Sequence, residues 1–203
     1  MIKNKIAIAL IFALGLLLAP AGARADTAAE AVVRGLYTQL EASMKQGSQL
    51  GFSGRYKQLD PVIRASFNLP LMTRMAVGAS WASASPQEQT ELVAAFSDFS
   101  VASYASQFAG YQGEQFTIVG EKTSDAGILV ETRLTPKDGD AVALNYLMRP
   151  DKNGNYRIVD VFLNGTISQL ATRRAEFSSI ARRDGISALV TSLGQKSKQM
   201  GPS

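Results

Sequence analysis

The apolar residues of this chain follow a helical period at both ends and a strand period in the middle. From residue 27 to about residue 108 they recur every three or four positions, which is typical of amphipathic helices. From residue 115 to residue 162 they alternate with polar residues, as in half-buried strands. The helical period then returns in two segments, roughly 168–182 and 186–198, with Gly185 between them. Helices, then strands, then helices predict the α+β class.

Four alternating segments predict four strands, at about residues 116–118, 128–134, 142–148 and 156–162. The pairs Asp138-Gly139 and Asn153-Gly154 are hairpin turn signals, so the strands should pair antiparallel in chain order. Only one face of each strand is apolar, and helices are therefore needed on one side alone. We expect a four-stranded antiparallel sheet that N- and C-terminal helices cover on one face.

Three polar motifs predict where helices begin. Thr27 with Glu30, and Ser85 with Glu88, have the spacing of a capping box, in which each residue bonds to the backbone N–H of the other. The second motif opens a long helix that should reach about residue 108. Asp60-Pro61 predicts another start, with the aspartate as cap and the proline at the first helical position.

Residues 1–25 have the pattern of a cleavable signal peptide. Two lysines precede an apolar stretch of 14 residues, and Ala23-Arg24-Ala25 places small residues before a cleavage point at Asp26. The alternative is an uncleaved anchor, but 14 residues fall short of the ~20 that span a bilayer. We expect residues 1–25 to be removed on export to the periplasm and residues 26–203 to form a single domain.

The composition excludes several classes of function. The chain has no histidine and no cysteine, so it lacks the usual general base, the thiolate nucleophile and the commonest metal ligands. Asp160 is the one acid on an otherwise apolar strand face. It could act as a base, or it could accept hydrogen bonds from backbone N–H groups or from Arg173 or Arg174. We predict no enzymatic activity, no metal site and no cofactor.

The charge argues against a nucleic-acid-binding protein. Three of the 21 basic side chains lie in residues 1–25, so the rest of the chain carries 18 basic against 17 acidic ones. A dense basic field is absent. Residues 166–203 do carry six basic and two acidic side chains, which either form a solvated helix surface or face anionic headgroups.

Several of these motifs resemble those of one protein family. The segment 67–81 with Gly78 and Trp81, then Gln89, and the Asp160-Val161 pair resemble the MlaC (toluene-tolerance, auxiliary phospholipid-transport) family over nearly all of 30–198. The segment 168–177 is closest to the hopanoid-associated HpnM branch. Two residues depart from the family pattern, because Asn68 and Asn164 stand where acidic residues are usual.

The resemblance implies a soluble periplasmic carrier whose helices and curved sheet enclose an apolar cavity. Its ligand would be a lipid, either a hopanoid or a phospholipid, moved between inner and outer membranes with an inner-membrane lipid transport complex and transient membrane contact. The candidate lipid-binding residues are Leu71, Met72, Met75, Trp81, Phe96, Phe99, Val130, Leu144, Tyr146, Met148 and Phe162. On composition alone, these residues would instead fill an ordinary core.

Two other functions remain open at this point. One is a periplasmic interaction or adaptor domain with a packed core and no ligand. The other is a small enzyme that uses Asp160.

Overall fold

The computed structural model describes residues 26–201 and confirms the α+β class. The predicted signal peptide lies outside the described residues. The helices are α1 (Ala28–Lys45), α2 (Gly47–Ser66), α3 (Leu69–Val77), α4 (Ser80–Ser83), α5 (Pro86–Gln107), α6 (Gln169–Asp184) and α7 (Ile186–Gln199). The strands are β1 (Gln115–Ser124), β2 (Gly127–Thr135), β3 (Val142–Pro150), β4 (Tyr156–Leu163) and β5 (Ile167–Ser168).

The strands form one antiparallel sheet in the order β1-β2-β3-β4-β5. The four predicted strands are all present and pair in chain order. The fifth strand, β5, was not predicted, because its two residues are too few to show a period. Helices α1, α2, α3 and α6 pack against the sheet face that carries Val130, Tyr146 and Ile158, all of which are buried.

A bulge in β4 changes which side chains share a face. Met148 pairs with Ile158, but Leu147 pairs with Asp160, so the ladder skips one residue of β4. Beyond the bulge, Val161 lies opposite Tyr146, and directly paired residues share a face. The prediction that β4 alternates on one face from residue 156 to residue 162 is therefore wrong after residue 158, since the bulge moves Val161 and Leu163 to the helix side.

Both predicted capping boxes are present. Thr27 Oγ1 accepts from the Glu30 backbone N–H at 3.1 Å, and Ser85 Oγ accepts from that of Glu88 at 3.2 Å. The Glu88 carboxylate accepts in return from the Ser85 N–H at 2.8 Å. These bonds satisfy N–H groups that have no partner inside the helix. They set the start of α1 and α5.

The predicted helix start at Asp60-Pro61 is wrong. Helix α2 continues through Pro61, and its only non-helical residue is Gly51, at φ 58° and ψ −173°. Leu59 and Ile63, on either side of the proline, are fully buried. Burial of these side chains stabilises the helix in spite of the one backbone hydrogen bond that a proline removes.

No helix within residues 26–201 is long and apolar enough to cross a membrane.

Candidate functional site: an apolar cavity between the sheet and the helices

A cavity of about 370 Å³ lies between β3 and β4 on one side and helices α2, α3, α5 and α6 on the other. Most of the side chains that line it are apolar. They are Ile63, Phe67, Met72, Tyr104, Phe108, Leu144, Tyr146, Val161, Leu163 and Leu170. The polar lining residues are Ser100, Ser103, Gln107, Gln169 and Arg173.

Small residues on α5 leave room for this cavity. Ser100 and Ser103 lie one turn apart on the lining face of the helix, where larger side chains would fill the space. Their hydroxyls donate to the carbonyl oxygens of Phe96 and Phe99, each at 2.8 Å. Since both O–H groups are already bonded within the helix, the serines present little polarity to the cavity.

One wall of the cavity is built where α2 meets the sheet. Phe67, the residue that caps the C-terminus of α2, forms an isolated bridge with Ile158 of β4. The next N–H, that of Asn68, donates to the Ile158 carbonyl at 2.9 Å. Asn68 Oδ1 then accepts from the Leu71 N–H at 3.2 Å and caps α3. Asn68 is thus the N-cap of α3, although it lacks the negative charge of the acidic residue that is usual at this position in the family that the chain resembles.

Three tyrosines lie in and behind the apolar wall. The Tyr104 ring contacts Phe67 edge-on, with centroids 5.5 Å apart, and stacks on Phe108 at 5.6 Å. Tyr37 packs edge-on against Tyr146 at 5.7 Å and bonds to the Thr132 hydroxyl. Burial raises the pKa of all three phenols, that of Tyr37 to about 12. They are therefore neutral at any physiological pH, and the wall carries no negative charge from them.

The remaining polar lining residues are Gln107, Gln169 and Arg173. Gln107, at the end of α5, is exposed, and Gln169 is the first residue of α6. Arg173 follows one turn further along α6. Its guanidinium lies over the face of the Phe99 ring, 4.6 Å from the centroid.

Asp160 attaches α6 to the sheet. Its Oδ1 accepts from the backbone N–H of Val161 at 2.7 Å and from that of Leu170 at 3.0 Å. Its Oδ2 accepts from the Ser168 hydroxyl at 2.5 Å. Ser168 is the N-cap of α6. Asp160 is thus an acceptor for backbone N–H groups, one of the two alternatives from the sequence, and neither Arg173 nor Arg174 is its partner.

Three of the eleven candidate residues line the cavity, namely Met72, Leu144 and Tyr146. Four others, Phe96, Phe99, Val130 and Met148, are buried in the core beside it. A further three, Leu71, Met75 and Trp81, lie half-buried on α3 and α4 and do not line it. Phe162 pairs with Asn145 and lies on the other face of the sheet because of the β4 bulge.

The sequence analysis missed most of the lining residues, although one signal could have found some of them. That signal is the run of small residues on α5, because such a run permits either close packing or a cavity. The face of α5 that lines the cavity carries Ser103 and Gln107, which are one helical turn apart, and Tyr104 lies beside them. The bulge places the side chains of Val161 and Leu163 at the cavity, and the packing of α6 places that of Arg173 there. Neither the bulge nor this packing can be recognised from the local sequence.

The described residues hold no group of three or more acidic side chains that could bind a metal ion.

Comparison with known proteins gives two similarities. The family model described as "MlaC protein" matches residues 34–195. The solved structure of a phospholipid-binding protein from Ralstonia solanacearum, in complex with a phospholipid, superposes with a TM-score of 0.73 at 22% identity. The superposition covers 85% of this chain and 98% of the other, and shows that the two share a fold.

Proposed function

Because this chain belongs to the MlaC protein family, we propose that it is a lipid carrier that holds the apolar tails of its cargo in the cavity. The observation that carries the proposal is a mostly apolar space of about 370 Å³ between the sheet and the helices. Ligand sites of proteins typically measure ~300–1,000 Å³ and are lined by apolar and aromatic side chains with a few polar groups. The cavity has these properties.

The energetics of apolar transfer suit a carrier. Moving a lipid tail from water into an apolar pocket gains ~0.8 kcal/mol per methylene, so a tail of about a dozen carbons gains on the order of 10 kcal/mol. Moving the same tail from a bilayer gains almost nothing, because the bilayer interior is already apolar. Such a protein retains its cargo in water and still exchanges it with membranes. The cavity needs no cofactor for this.

The compartment and route are part of the same proposal. The sequence pattern of residues 1–25 supports export, with a mature protein that begins at Asp26 and acts in the periplasm. There it would move a phospholipid or a hopanoid between inner and outer membranes and meet an inner-membrane lipid transport complex. The solved structure from Ralstonia solanacearum contains a phospholipid, which supports this class of cargo.

The test is the lipid content of the purified mature protein, measured by native mass spectrometry and by solvent extraction. Leu144→Trp projects an indole into the cavity from β3, because Leu144 is a lining residue. Val119→Trp is the matched control, since Val119 is 55% exposed on β1 and does not line the cavity. We expect bound lipid in wild type and in Val119→Trp, and severalfold less in Leu144→Trp.

Wild-type protein with no bound lipid, and with no uptake from vesicles, would overturn the proposal in favour of an interaction or adaptor domain. Equal lipid content in the two tryptophan variants would show that lipid binds elsewhere.

A further inference from the structure

Arg173 is the only arginine of residues 26–201 that is at least half-buried and makes no hydrogen bond or ion pair within the described chain. Arg34, Arg64, Arg157 and Arg183 pair with carboxylates. Arg55 and Arg149 donate to backbone carbonyls, and Arg182 donates to Ser178. Arg74, Arg133 and Arg174 are exposed to water. Arg173 is half-buried and lines the cavity.

The N–H groups of Arg173 are available to donate hydrogen bonds to a ligand. The central carbon of its guanidinium lies over the Phe99 ring, 4.6 Å from the centroid, which is a favourable cation–π contact. That contact does not satisfy the N–H donors, which lie in the plane of the group. Burial lowers the pKa of Arg173, but a guanidinium titrates so far above neutrality that it stays charged. A charge that is partly removed from water is less costly when it has a hydrogen-bonding partner.

The groups around Arg173 carry further hydrogen-bond donors, namely a phenol hydroxyl and two amides. Tyr104, which also lines the cavity, makes no hydrogen bond through its hydroxyl to any residue of the described chain, and Arg173 is close enough to lower its pKa. The amides of Gln107 and Gln169 are similarly unbonded within residues 26–201 and contribute further N–H groups. None of the lining residues is acidic. The nearest carboxylate on α6, that of Glu176, pairs with Lys196 at 2.8 Å.

We propose that Arg173 and the Tyr104 hydroxyl bind the oxyanion of an anionic lipid whose tails occupy the adjoining apolar part of the cavity. The inference rests on the proposed lipid-carrier function and adds to it the residues that would recognise the head of the lipid, through a phosphate or carboxylate group next to the tails. A guanidinium fits this role because its paired N–H groups match the two oxygens of a phosphate or a carboxylate.

The experiment compares lipids that have the same tails but differ in whether they carry a phosphate headgroup. Delipidated protein is offered phosphatidylglycerol and diacylglycerol with the same acyl chains, at equal concentration, and the bound fractions are read by native mass spectrometry. We expect wild type to prefer phosphatidylglycerol by about tenfold or more, the usual effect of a hydrogen bond to a charged group. Arg173→Met should reduce this preference to near parity, and Arg173→Lys should keep part of it.

Arg174→Met is the matched control, because it removes the same charge from the next residue, which is exposed and does not line the cavity. This variant should keep the wild-type preference. If Arg173→Met does not fold, Tyr104→Phe and Arg173→Lys test the same site with smaller changes.

Two further comparisons identify the source of the oxyanion. Palmitate against hexadecanol tests a carboxylate, and an Arg173-dependent preference for palmitate alone would support the site with a fatty acid as cargo. Inorganic phosphate without tails should leave the melting temperature unchanged. A shift as large as that with phosphatidylglycerol, lost in Arg173→Met, would overturn the assignment to a lipid.

The possible failures are distinct. Arg173→Met with an unchanged preference would reduce Arg173 to a packing partner of Phe99. Wild type that binds both lipids equally would overturn anion recognition and leave the carrier function intact. Wild type that binds neither lipid would overturn the carrier function itself.

Discussion

Asp160 shows how one buried carboxylate positions part of the cavity wall. It is 8% exposed, and its acceptors are occupied by two backbone N–H groups and the hydroxyl of Ser168. Two of these three donors belong to the start of α6, the helix that brings Leu170 and Arg173 to the cavity. The negative charge also lies favourably near a helix N-terminus. Asp160 is thus a structural residue that supports the site from outside it.

The prediction at the scale of single residues concerns the carboxylate of Asp160. Asp160→Ala should lower the free energy of unfolding by about 2–3 kcal/mol, because the N–H of Leu170 loses its acceptor in a buried place. Asp160→Asn should cost about 1 kcal/mol, since the amide oxygen still accepts. Urea unfolding measures both. Asp140→Ala, in the exposed β2–β3 connection, is the control and should have no effect. Equal stability of all four proteins would refute this account of Asp160.

At the scale of elements, the β1–β2 hairpin depends on a glycine that approaches the neighbouring strand. Gly127, the first residue of β2, has φ 134°, a conformation that other residues rarely adopt. A Cβ atom at this position would lie 2.3 Å from the carbonyl oxygen of Met148 in β3. The turn therefore fits against β3 only without a side chain.

Gly127→Ala should destabilise the protein by about 2–3 kcal/mol, through backbone strain and the overlap with Met148. Gly120→Ala, in β1 of the same hairpin, is the control because a Cβ there has no atom within 4 Å. The control should change stability by less than about 1 kcal/mol. Thermal unfolding of both variants checks the difference, and similar melting temperatures would contradict the close contact.

At the scale of the whole molecule, the sheet face that carries Val130, Leu144 and Tyr146 is partly packed and partly open. Val130 is fully buried among core side chains, whereas Leu144 faces the cavity. Both residues were candidates for lipid contact on the same grounds. Packing density separates them, because a filled core resists added volume and a cavity accepts it.

The matching prediction compares Val130→Phe with Leu144→Trp after delipidation. Val130→Phe should cost about 1–3 kcal/mol, which lowers the melting temperature by several degrees in a chain of this size. Leu144→Trp should melt within about two degrees of wild type, because the indole occupies empty space. Delipidation is needed because bound ligand itself raises stability. A large loss of stability in Leu144→Trp would place Leu144 in ordinary core.

The sequence by itself determined the features of this protein that depend on local interactions, namely the helix starts and the strands. The capping boxes at Thr27 and Ser85 set helix starts through bonds that span three residues, and the two-residue alternation located four strands. The absence of histidine and cysteine ruled out whole classes of chemistry without any structure. The family could be inferred because its motifs are also read along the chain.

Tertiary structure alone decided where the site lies. The β4 bulge turned Val161 toward the helices and Phe162 away from them, and packing carried α2 straight through Pro61. The cavity exists because segments far apart in sequence meet without filling the space between them. Arg173 lies at the cavity because Asp160 binds the start of α6, the helix that carries this arginine. Strand register, internal cavities and unpaired charges depend on contacts between residues that are distant in sequence. Such contacts cannot be predicted from a local sequence pattern.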